Sequence, residues 1–211
     1  MNDLLLILNP RRIPECHDAF KELQIDKCWL QFYSEHGLQQ AIHKAIKKTH
    51  YDNYIVISDD CVVSQVALDA VQRTRAEVVT GYCNLAQKNP LVNLTKTPIR
   101  GWEPSVNGYD FITQTEVTSG PDTFRTFFSG MCLTKMSKEM WERFPFKCFG
   151  DEPGYGSDFH LCKRLQSANI KIVAHKDAWV DHVKETWNQP DQDSTKRLLI
   201  GEVESRVTIF D

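Results

Sequence analysis

The stretch YIVISDDCVV, residues 54–63, joins a run of apolar residues to two adjacent carboxylates. Ile55, Val56 and Ile57 are β-branched and do not alternate with polar residues, a pattern typical of a strand buried on both faces of a parallel sheet. Asp59 and Asp60 follow directly. Ligands of open α/β sheets bind beyond the carboxyl ends of the strands, so the two aspartates lie where a ligand site is expected.

Two interpretations of the aspartate pair are open at this point. Aspartate is common in the turns that lead from a strand to the next element. Two neighbouring carboxylates also repel each other and are stabilised by a positive counter-charge. The pair is therefore also a candidate site for a divalent cation.

The rest of the N-terminal half alternates between short apolar runs and helical patterns. Further strands are predicted at LLLIL (4–8), CWLQFY (28–33) and EVVTGYC (77–83). Helices are predicted at CHDAFKEL, GLQQAIHKAIKKTH and SQVALDAVQRTR, the last capped by Ser64. Strands and helices in this order predict a parallel, doubly wound sheet.

The C-terminal half begins with an irregular stretch at residues 88–124, rich in Pro, Gly, Thr and Asn. A long irregular stretch inside a compact domain usually has a function. Regular secondary structure is predicted again from FRTFFSGMCLT onward. The helix SKEMWERF, the Gly-rich turn FGDEPGYGSD, the helix DFHLCKRLQSAN and two strands, IKIVAH and AWVDHV, follow in this order. A polar tail follows.

Composition excludes several classes of function. The 211 residues carry a net charge of -3, which offers no electrostatic basis for nucleic acid as the main partner. The apolar run at the start is short, with Asp before it and Arg after it, so it predicts neither a signal peptide nor a membrane span. The seven cysteines lack zinc-ligand spacing and predict reduced thiols in a cytoplasmic protein.

The segment FGDEPGYGSDFHLCKRLQSANIKIVAHKDAWVDHV resembles the C-terminal signature of GT-A glycosyltransferases. SDDC lies where those enzymes carry their metal-binding DXD motif, and LLLILNPRR and LQFYSEHG look like their first two strands. In length and pattern the chain is similar to the small glycosyltransferases that chloroviruses encode for capsid glycans. The resemblance implies an α/β, Rossmann-like GT-A domain with a central, mostly parallel sheet flanked by helices.

The resemblance also implies a division of the chain. A single GT-A domain is expected over residues 1–185, with a nucleotide-binding half at 1–100 and an acceptor-side half at 101–185. Residues 186–211 are expected to form a C-terminal tail.

Metal ligands are implied at Asp60, first, and at Asp59, bound directly or through water and ribose. His182 in VDHV matches the family's third ligand, and a carboxylate–imidazole set suits Mn²⁺, with Mg²⁺ as the other candidate. His175 is the rival histidine, and a purely structural role is the alternative for either. The family often has Asp-Asp-Asp where this chain has Ser58-Asp59-Asp60, which leaves the ligand set open.

A catalytic base is implied at Asp158, where the family often has Glu-Asp and this chain has Ser157-Asp158. The base would accept the proton of the acceptor hydroxyl as it attacks the anomeric carbon, which requires inversion. The alternative is a helix cap, since Asp is favoured at helix N-termini. A retaining mechanism remains open.

Donor contacts are implied at several further positions. Asn9, Pro10, Arg11 and Ser34 match the nucleotide-contacting ends of the first two strands, and Ser129 and Gly130 match donor-sugar contacts. Gly130 permits close backbone approach. Four aromatic residues form either an apolar face for a sugar ring or part of the core: Trp102, Tyr109, Phe127 and Phe128.

The predicted function is metal-dependent transfer of a hexose or deoxyhexose from a UDP-sugar to a glycan or glycoprotein acceptor hydroxyl. The rival enzyme class is a nucleotidyltransferase, which also pairs aspartates with a metal and a nucleotide. LNPRRIPE lacks the Gly-rich phosphate loop usual in that class. A third class is a non-catalytic module that binds sugar or nucleotide.

Overall fold

The computed structural model describes residues 2–8, 13–31, 35–85, 90–100, 109–130, 132–147, 157–183 and 209–210. The strands are β1 (Asp3–Leu8), β2 (Asp26–Leu30), β3 (Asn53–Ser58), β4 (Cys61–Val63), β5 (Val78–Tyr82), β6 (Leu91–Thr95), β7 (Phe111–Thr113), β8 (Thr123–Thr126), β9 (Thr134–Ser137), β10 (Ile172–His182) and β11 (Ile209–Phe210). The helices are α1 (Pro14–Glu22), α2 (Glu35–Lys48), α3 (Gln65–Arg73), α4 (Gln114–Ser119), α5 (Lys138–Arg143) and α6 (Ser157–Ser167).

The main sheet has the strand order β11-β2-β1-β3-β9-β5-β10-β4, and β8 also pairs with β10. The strands β1, β2, β3, β5 and β10 share one direction, whereas β9 runs antiparallel between β3 and β5. The prediction of an α/β domain with a mostly parallel central sheet is therefore confirmed. A separate two-stranded sheet pairs β6 with β7.

Helices pack against both faces of the sheet, and apolar residues of the strands point to both sides. Leu4, Leu6 and Leu8 of β1 belong to a core that also takes residues from α2, α5 and α6. Leu5 and Ile7 belong to a second core on the opposite face, with residues from α1 and α3. This two-sided burial explains the continuous apolar runs of the sequence.

The predicted N-cap of α3 is confirmed. The Ser64 side chain accepts a hydrogen bond from the backbone N–H of Ala67 at 3.2 Å and caps α3. Ser137 caps α5 in the same way, through the N–H of Met140. The capping hydroxyl satisfies one of the N–H groups that a helix leaves free in its first turn.

Two predictions about the C-terminal half are wrong. IKIVAH and AWVDHV do not form two strands, because β10 runs through both as one strand of 11 residues. Its pairing with β5 shifts register between Ala174 and Trp179, and this irregularity accommodates the polar residues in the middle of the strand. The stretch predicted to be irregular contains β6, β7 and α4, although residues 101–108 lie outside the described part.

Two residues from the predicted tail, Ile209 and Phe210, form β11 and pair antiparallel with Leu30 and Trp29 of β2. Among the described residues, no helix combines the length and apolar character needed to cross a bilayer.

Gly81 in β5 packs closely against neighbouring segments, and Gly81→Ala is expected to destabilise the fold. A Cβ at this position would lie 2.8 Å from the backbone oxygen of Ala178 and 2.9 Å from Cβ of Leu133. Overpacking of this kind costs about 1–3 kcal/mol, or roughly 2–12 °C in melting temperature for a domain of this size. Thermal melting checks the prediction, and an unchanged melting temperature would contradict it.

Candidate active site

Asp60 and His182 meet at the carboxyl edge of the sheet. The chain turns after β3, and β4 then pairs antiparallel with the end of β10, so that Cys61 lies opposite His182. The backbone N–H of Val183 donates to the carbonyl of Asp60 at 2.9 Å. This pairing brings Nε2 of His182 to 2.9 Å from Oδ2 of Asp60, although the two residues are far apart in the sequence.

A cavity of about 280 Å³ opens beside this pair. The polar residues that line it are Ser58, Asp60, Asn84, Asn93, Asp158 and His182. Three cysteine thiols, Phe128 and Gly130 contribute to the rest of its wall. The cavity therefore combines two carboxylates, an imidazole and two amides in one concave site, which is the usual form of a ligand site.

The Asp60–His182 pair fits part of a metal site. Two neighbouring ligands of an octahedral ion with bonds near 2.1 Å lie about 3 Å apart, and Oδ2 of Asp60 and Nε2 of His182 are 2.9 Å apart. Both side chains are partly accessible, at 10% for Asp60 and 19% for His182. The described residues contain no group of three or more His, Cys, Asp or Glu that could hold an ion. An ion here would take its remaining ligands from substrate and water.

The Asp59 side chain is not brought to this cavity. Asp59 is only 1% exposed, and its backbone N–H donates to the carbonyl of Leu8 at 2.9 Å, which ties the turn to β1. The residue does not line the cavity.

Asp158 is the second residue of α6 and lines the cavity. Its Oδ1 accepts a hydrogen bond from the backbone N–H of Phe159 at 2.7 Å. The helix dipole favours a negative charge at this end. The position is thus compatible with a capping role and with a role in the cavity.

Ser129 and Gly130 differ in their access to the cavity. Ser129 is buried, and its hydroxyl shares a hydrogen bond with the hydroxyl of Thr80. Gly130 lines the cavity, and a Cβ there would lie 2.8 Å from Nδ2 of Asn93. The glycine thus permits the close approach of this loop to β6.

The remaining predicted residues lie elsewhere or outside the described part. His175 is buried away from the cavity, where its Nδ1 accepts from the backbone N–H of Asp177 at 3.1 Å. Among the aromatic residues, Phe128 lines the cavity, whereas Phe127 packs under the guanidinium of Arg125. Asn9, Pro10, Arg11, Ser34 and Trp102 are outside the described residues.

Three thiols in the cavity wall were not predicted, because Cys61, Cys83 and Cys132 are widely separated in the sequence. A hydrogen bond with the Cys132 thiol, together with burial, raises the pKa of the Cys83 thiol far above its usual value. Burial, reinforced by the charge of Asp60, also raises the pKa of Cys61. The thiols of Cys61 and Cys83 are therefore neutral at ordinary pH and form a soft, weakly polar part of the wall.

Comparisons with solved structures place the chain among proteins of similar fold. A197 from STIV has 14% sequence identity and a TM-score of 0.53, with 82% of this chain and 81% of that chain covered. GalNAc-T7, solved with UDP, GalNAc and Mn²⁺, has 11% identity and a TM-score of 0.52, with 86% of this chain and 44% of that chain covered. S. aureus TarS (residues 1–349) has 10% identity and a TM-score of 0.50, with coverage of 94% and 69%.

No protein-family model matches the chain, and no curated protein matches it in sequence. At these low identities the structural likeness bears on the fold alone. The fold is therefore GT-A-like, as the sequence motifs predict.

Proposed function

We propose that the chain is a metal-dependent glycosyltransferase that moves a hexose or deoxyhexose from a UDP-sugar to a hydroxyl of a glycan or glycoprotein acceptor. The observation that carries the proposal is the pairing of Asp60 with His182 at the edge of a cavity that Asp158 also lines. Two candidate metal ligands and a separate carboxylate support metal-assisted transfer of a sugar from a nucleotide donor.

Asp60 and His182 are the residues that would hold Mn²⁺ or Mg²⁺. A bound divalent cation would stabilise the negative charge that develops on the departing diphosphate. A contact of Asp59 through water or ribose follows from the sequence resemblance alone, since the residue does not line the cavity. Crystals of the structural neighbour GalNAc-T7 contain both UDP and Mn²⁺, which supports this choice of donor and ion.

Asp158 is the proposed general base. The acceptor hydroxyl oxygen forms a bond to the anomeric carbon, its proton passes to the Asp158 carboxylate, and the bond from that carbon to the phosphate oxygen breaks. The diphosphate leaves as UDP. Attack from the face opposite the leaving group inverts the anomeric configuration, through an oxocarbenium-like transition state.

Binding of the nucleotide is assigned to Asn9, Pro10, Arg11 and Ser34, and binding of the sugar to Ser129 and Gly130. These assignments follow from the sequence resemblance. The similarity to chlorovirus enzymes also remains a prediction.

UDP is expected to bind only with a divalent cation, and more tightly than GDP or CMP. Calorimetric titration of the three nucleotides with Mn²⁺, and again with a chelator, measures both effects. Because diphosphate binding would depend on the cation that Asp60 and His182 would hold, the chelator should abolish most of the heat. Equal UDP binding in the presence of chelator would defeat the proposal.

His182→Ala is expected to reduce Mn²⁺-supported transfer by roughly 10- to 100-fold, since a loss in metal affinity of this size already follows removal of a group that only supports a ligand. His175→Ala is the matched control, because His175 is buried away from the cavity. Transfer rates of both variants, measured at saturating donor over a range of Mn²⁺ concentrations, show which histidine supports the use of the ion. A larger effect of His175→Ala would show that the wrong histidine is assigned.

A further inference from the structure

Trp179 lies near the carboxyl end of β10, and two neighbours hold its indole ring in place. The Nε1–H of the indole donates to Oδ1 of Asp181 at 2.7 Å. The Tyr82 ring packs against the indole edge to face, with ring centroids 5.4 Å apart. Tyr82 is itself fixed, because it is buried and its hydroxyl donates to the carbonyl of Lys176. The indole therefore loses little freedom when a ligand binds to it.

The fold covers only part of the indole. Trp179 packs against a hydrophobic cluster that includes Tyr82 and residues of β6, β7 and α4, but it remains partly exposed. Asp181 is exposed, and its hydrogen bond with the indole lies at the surface. A carboxylate accepts several hydrogen bonds through its two oxygens. Asp181 therefore retains capacity to accept from a ligand while it holds the indole.

The Trp179–Asp181 pair lies close to the candidate active site. Side chains alternate along a strand, so these two share one face of β10, whereas Val180 and His182 point to the other face. Val180 belongs to the second core, and His182 lines the cavity. At a rise of about 3.3 Å per residue, the Cα atoms of Trp179 and His182 are about 10 Å apart. A ligand on the indole is therefore separated from the cavity by the end of a single strand.

The pair has the chemical features that bind a neutral sugar ring. One side of a pyranose ring presents C–H groups, which pack favourably on the electron-rich face of an aromatic ring. The hydroxyls at the rim of the sugar need hydrogen-bond partners, and the Asp181 carboxylate can accept from one of them. Its negative charge disfavours an acidic sugar. Small-molecule sites combine apolar surface with a few polar groups in the same way.

A protein partner fits this surface less well than a sugar does. A stable protein interface covers about 800 Å² on each partner, and its central part is apolar. Within the described part of the chain, Val66 on α3 is the only large apolar side chain that is mostly exposed, and α3 packs on the other face of β10. The apolar surface offered by Trp179 is that of one aromatic ring, which suits a single sugar unit.

We propose that Trp179 and Asp181 form a subsite for the acceptor glycan, in which the indole stacks on a neutral pyranose unit and Asp181 accepts from one of its hydroxyls. The unit bound there is not the one whose hydroxyl reacts in the cavity but another unit of the same glycan. The role of this glycan as acceptor rests on the proposed function, whereas sugar binding at Trp179 does not.

Fluorine NMR of protein labelled with 5-fluorotryptophan tests binding at Trp179 directly. The chain has five tryptophans, and the Trp179 resonance is the one that is absent from Trp179→Phe. The probes are methyl glycosides and disaccharides of glucose, galactose, mannose and N-acetylglucosamine, with methyl glucuronide as the acidic comparison. At least one neutral sugar should shift the Trp179 resonance in a saturable way, and the glucuronide should bind more weakly. Trp141 is fully buried, so its resonance should not move.

Two variants remove the subsite, and their sugar affinities are measured by NMR of the ligand. Trp179→Phe reduces the aromatic face and lacks the indole N–H, and Asp181→Ala removes the partner of the indole. Each should weaken binding of the best sugar by about 10-fold, the value of one or two hydrogen bonds. Because Asp181 is exposed, Asp181→Ala should melt at the same temperature as the wild type.

Phe124→Leu is the matched control. Phe124 packs against the same hydrophobic cluster as Trp179, but it lies in β8 and pairs with Ala174, farther back along β10. The substitution should lower the melting temperature, whereas sugar affinity should stay within about 2-fold of the wild type, because distant sites act independently.

Kinetics test the role of the subsite in transfer. The sugar that binds best at Trp179 is used as acceptor, with Mn²⁺ and a UDP-sugar. Trp179→Phe and Asp181→Ala should raise the KM for this acceptor about 10-fold and leave kcat and the KM for the donor within about 2-fold. This pattern follows from the loss of an interaction made equally in the ground state and the transition state.

Four outcomes would overturn the inference. No neutral sugar shifts the Trp179 resonance, or the glucuronide binds as tightly as the neutral sugars, or Phe124→Leu weakens sugar binding as much as Trp179→Phe does, or the two subsite variants leave the KM for the acceptor unchanged. Each of these results is compatible with metal-dependent UDP binding and so spares the proposed function. If the wild type fails to bind UDP, the proposed function and the acceptor role fall together, while NMR still decides whether a sugar binds at Trp179.

Discussion

Asp158→Asn is expected to slow sugar transfer by about 10²–10⁴-fold, the usual loss when a general base is removed. The amide keeps the shape of the carboxylate but does not accept the proton of the attacking hydroxyl. It also retains an oxygen that can accept from the N–H of Phe159, as Oδ1 of Asp158 does at 2.7 Å. UDP binding should therefore be nearly unchanged, and so should folding, because Asn caps helices about as well as Asp.

The measurements are the rate of transfer at saturating donor, UDP affinity by calorimetry, and the melting temperature of the variant. If Asp158 is only a helix cap, activity and stability both survive the substitution. Lost UDP binding would instead place Asp158 on the metal or donor side. The anomeric configuration of the product, determined by NMR, adds an independent test, since a retained configuration is incompatible with a base in this role.

Asp60→Asn is expected to weaken Mn²⁺-dependent UDP binding by roughly 100-fold or more, because groups that merely support a metal ligand already contribute 10- to 100-fold. The amide preserves the volume of a side chain that is only 10% accessible but removes its charge. Titration of UDP at several Mn²⁺ concentrations should show a lower affinity for the ion, partly recovered at high Mn²⁺.

Asp181→Asn is the matched control for this substitution. Asp181 precedes His182 in β10 and carries the same charge, but it is exposed and accepts a hydrogen bond from Nε1 of Trp179 at 2.7 Å. Its replacement should leave metal-linked binding unchanged. Near-normal binding by Asp60→Asn, or an equal loss in both variants, would rule out Asp60 as a principal ligand.

The sheet could be predicted from the sequence where its signals are local. The strand at residues 4–8 and the β3 segment are short apolar runs, typical of strands buried on both faces of a sheet. Ser64 indicated the start of α3 through the chemistry of the N-cap. These features depend on a few neighbouring residues, so the sequence contains the information directly.

The pairing of strands could not be predicted in the same way. Nothing local in Thr134–Ser137 indicates that β9 is inserted antiparallel between β3 and β5. Lys176 and Asp177 looked like a break between two strands, but β10 continues through them, with an irregularity in its pairing with β5. Such arrangements depend on contacts between distant segments.

The candidate site shows the same difference between local sequence signals and contacts of distant segments. Motif positions suggested Asp60, Asp158 and His182 individually, and the structure brings all three to one cavity. The contact between Asp60 and His182 depends on the pairing of β4 with the end of β10. A strand of three residues, such as β4, cannot be recognised from its sequence. Asn93 belongs to no motif, and its place in the cavity wall depends on the pairing of β6 with the end of β5.

The most direct test of glycosyl transfer is to incubate the protein with a panel of UDP-sugars and Mn²⁺ and to identify the nucleotide and sugar products. Cleavage at the anomeric carbon predicts intact UDP together with free sugar, or transferred sugar when an acceptor is present, and no products with a chelator. Asp60→Asn should lose this activity. Release of UMP and a sugar phosphate would show cleavage within the diphosphate and contradict the account, and so would product formation that is equally fast with chelator.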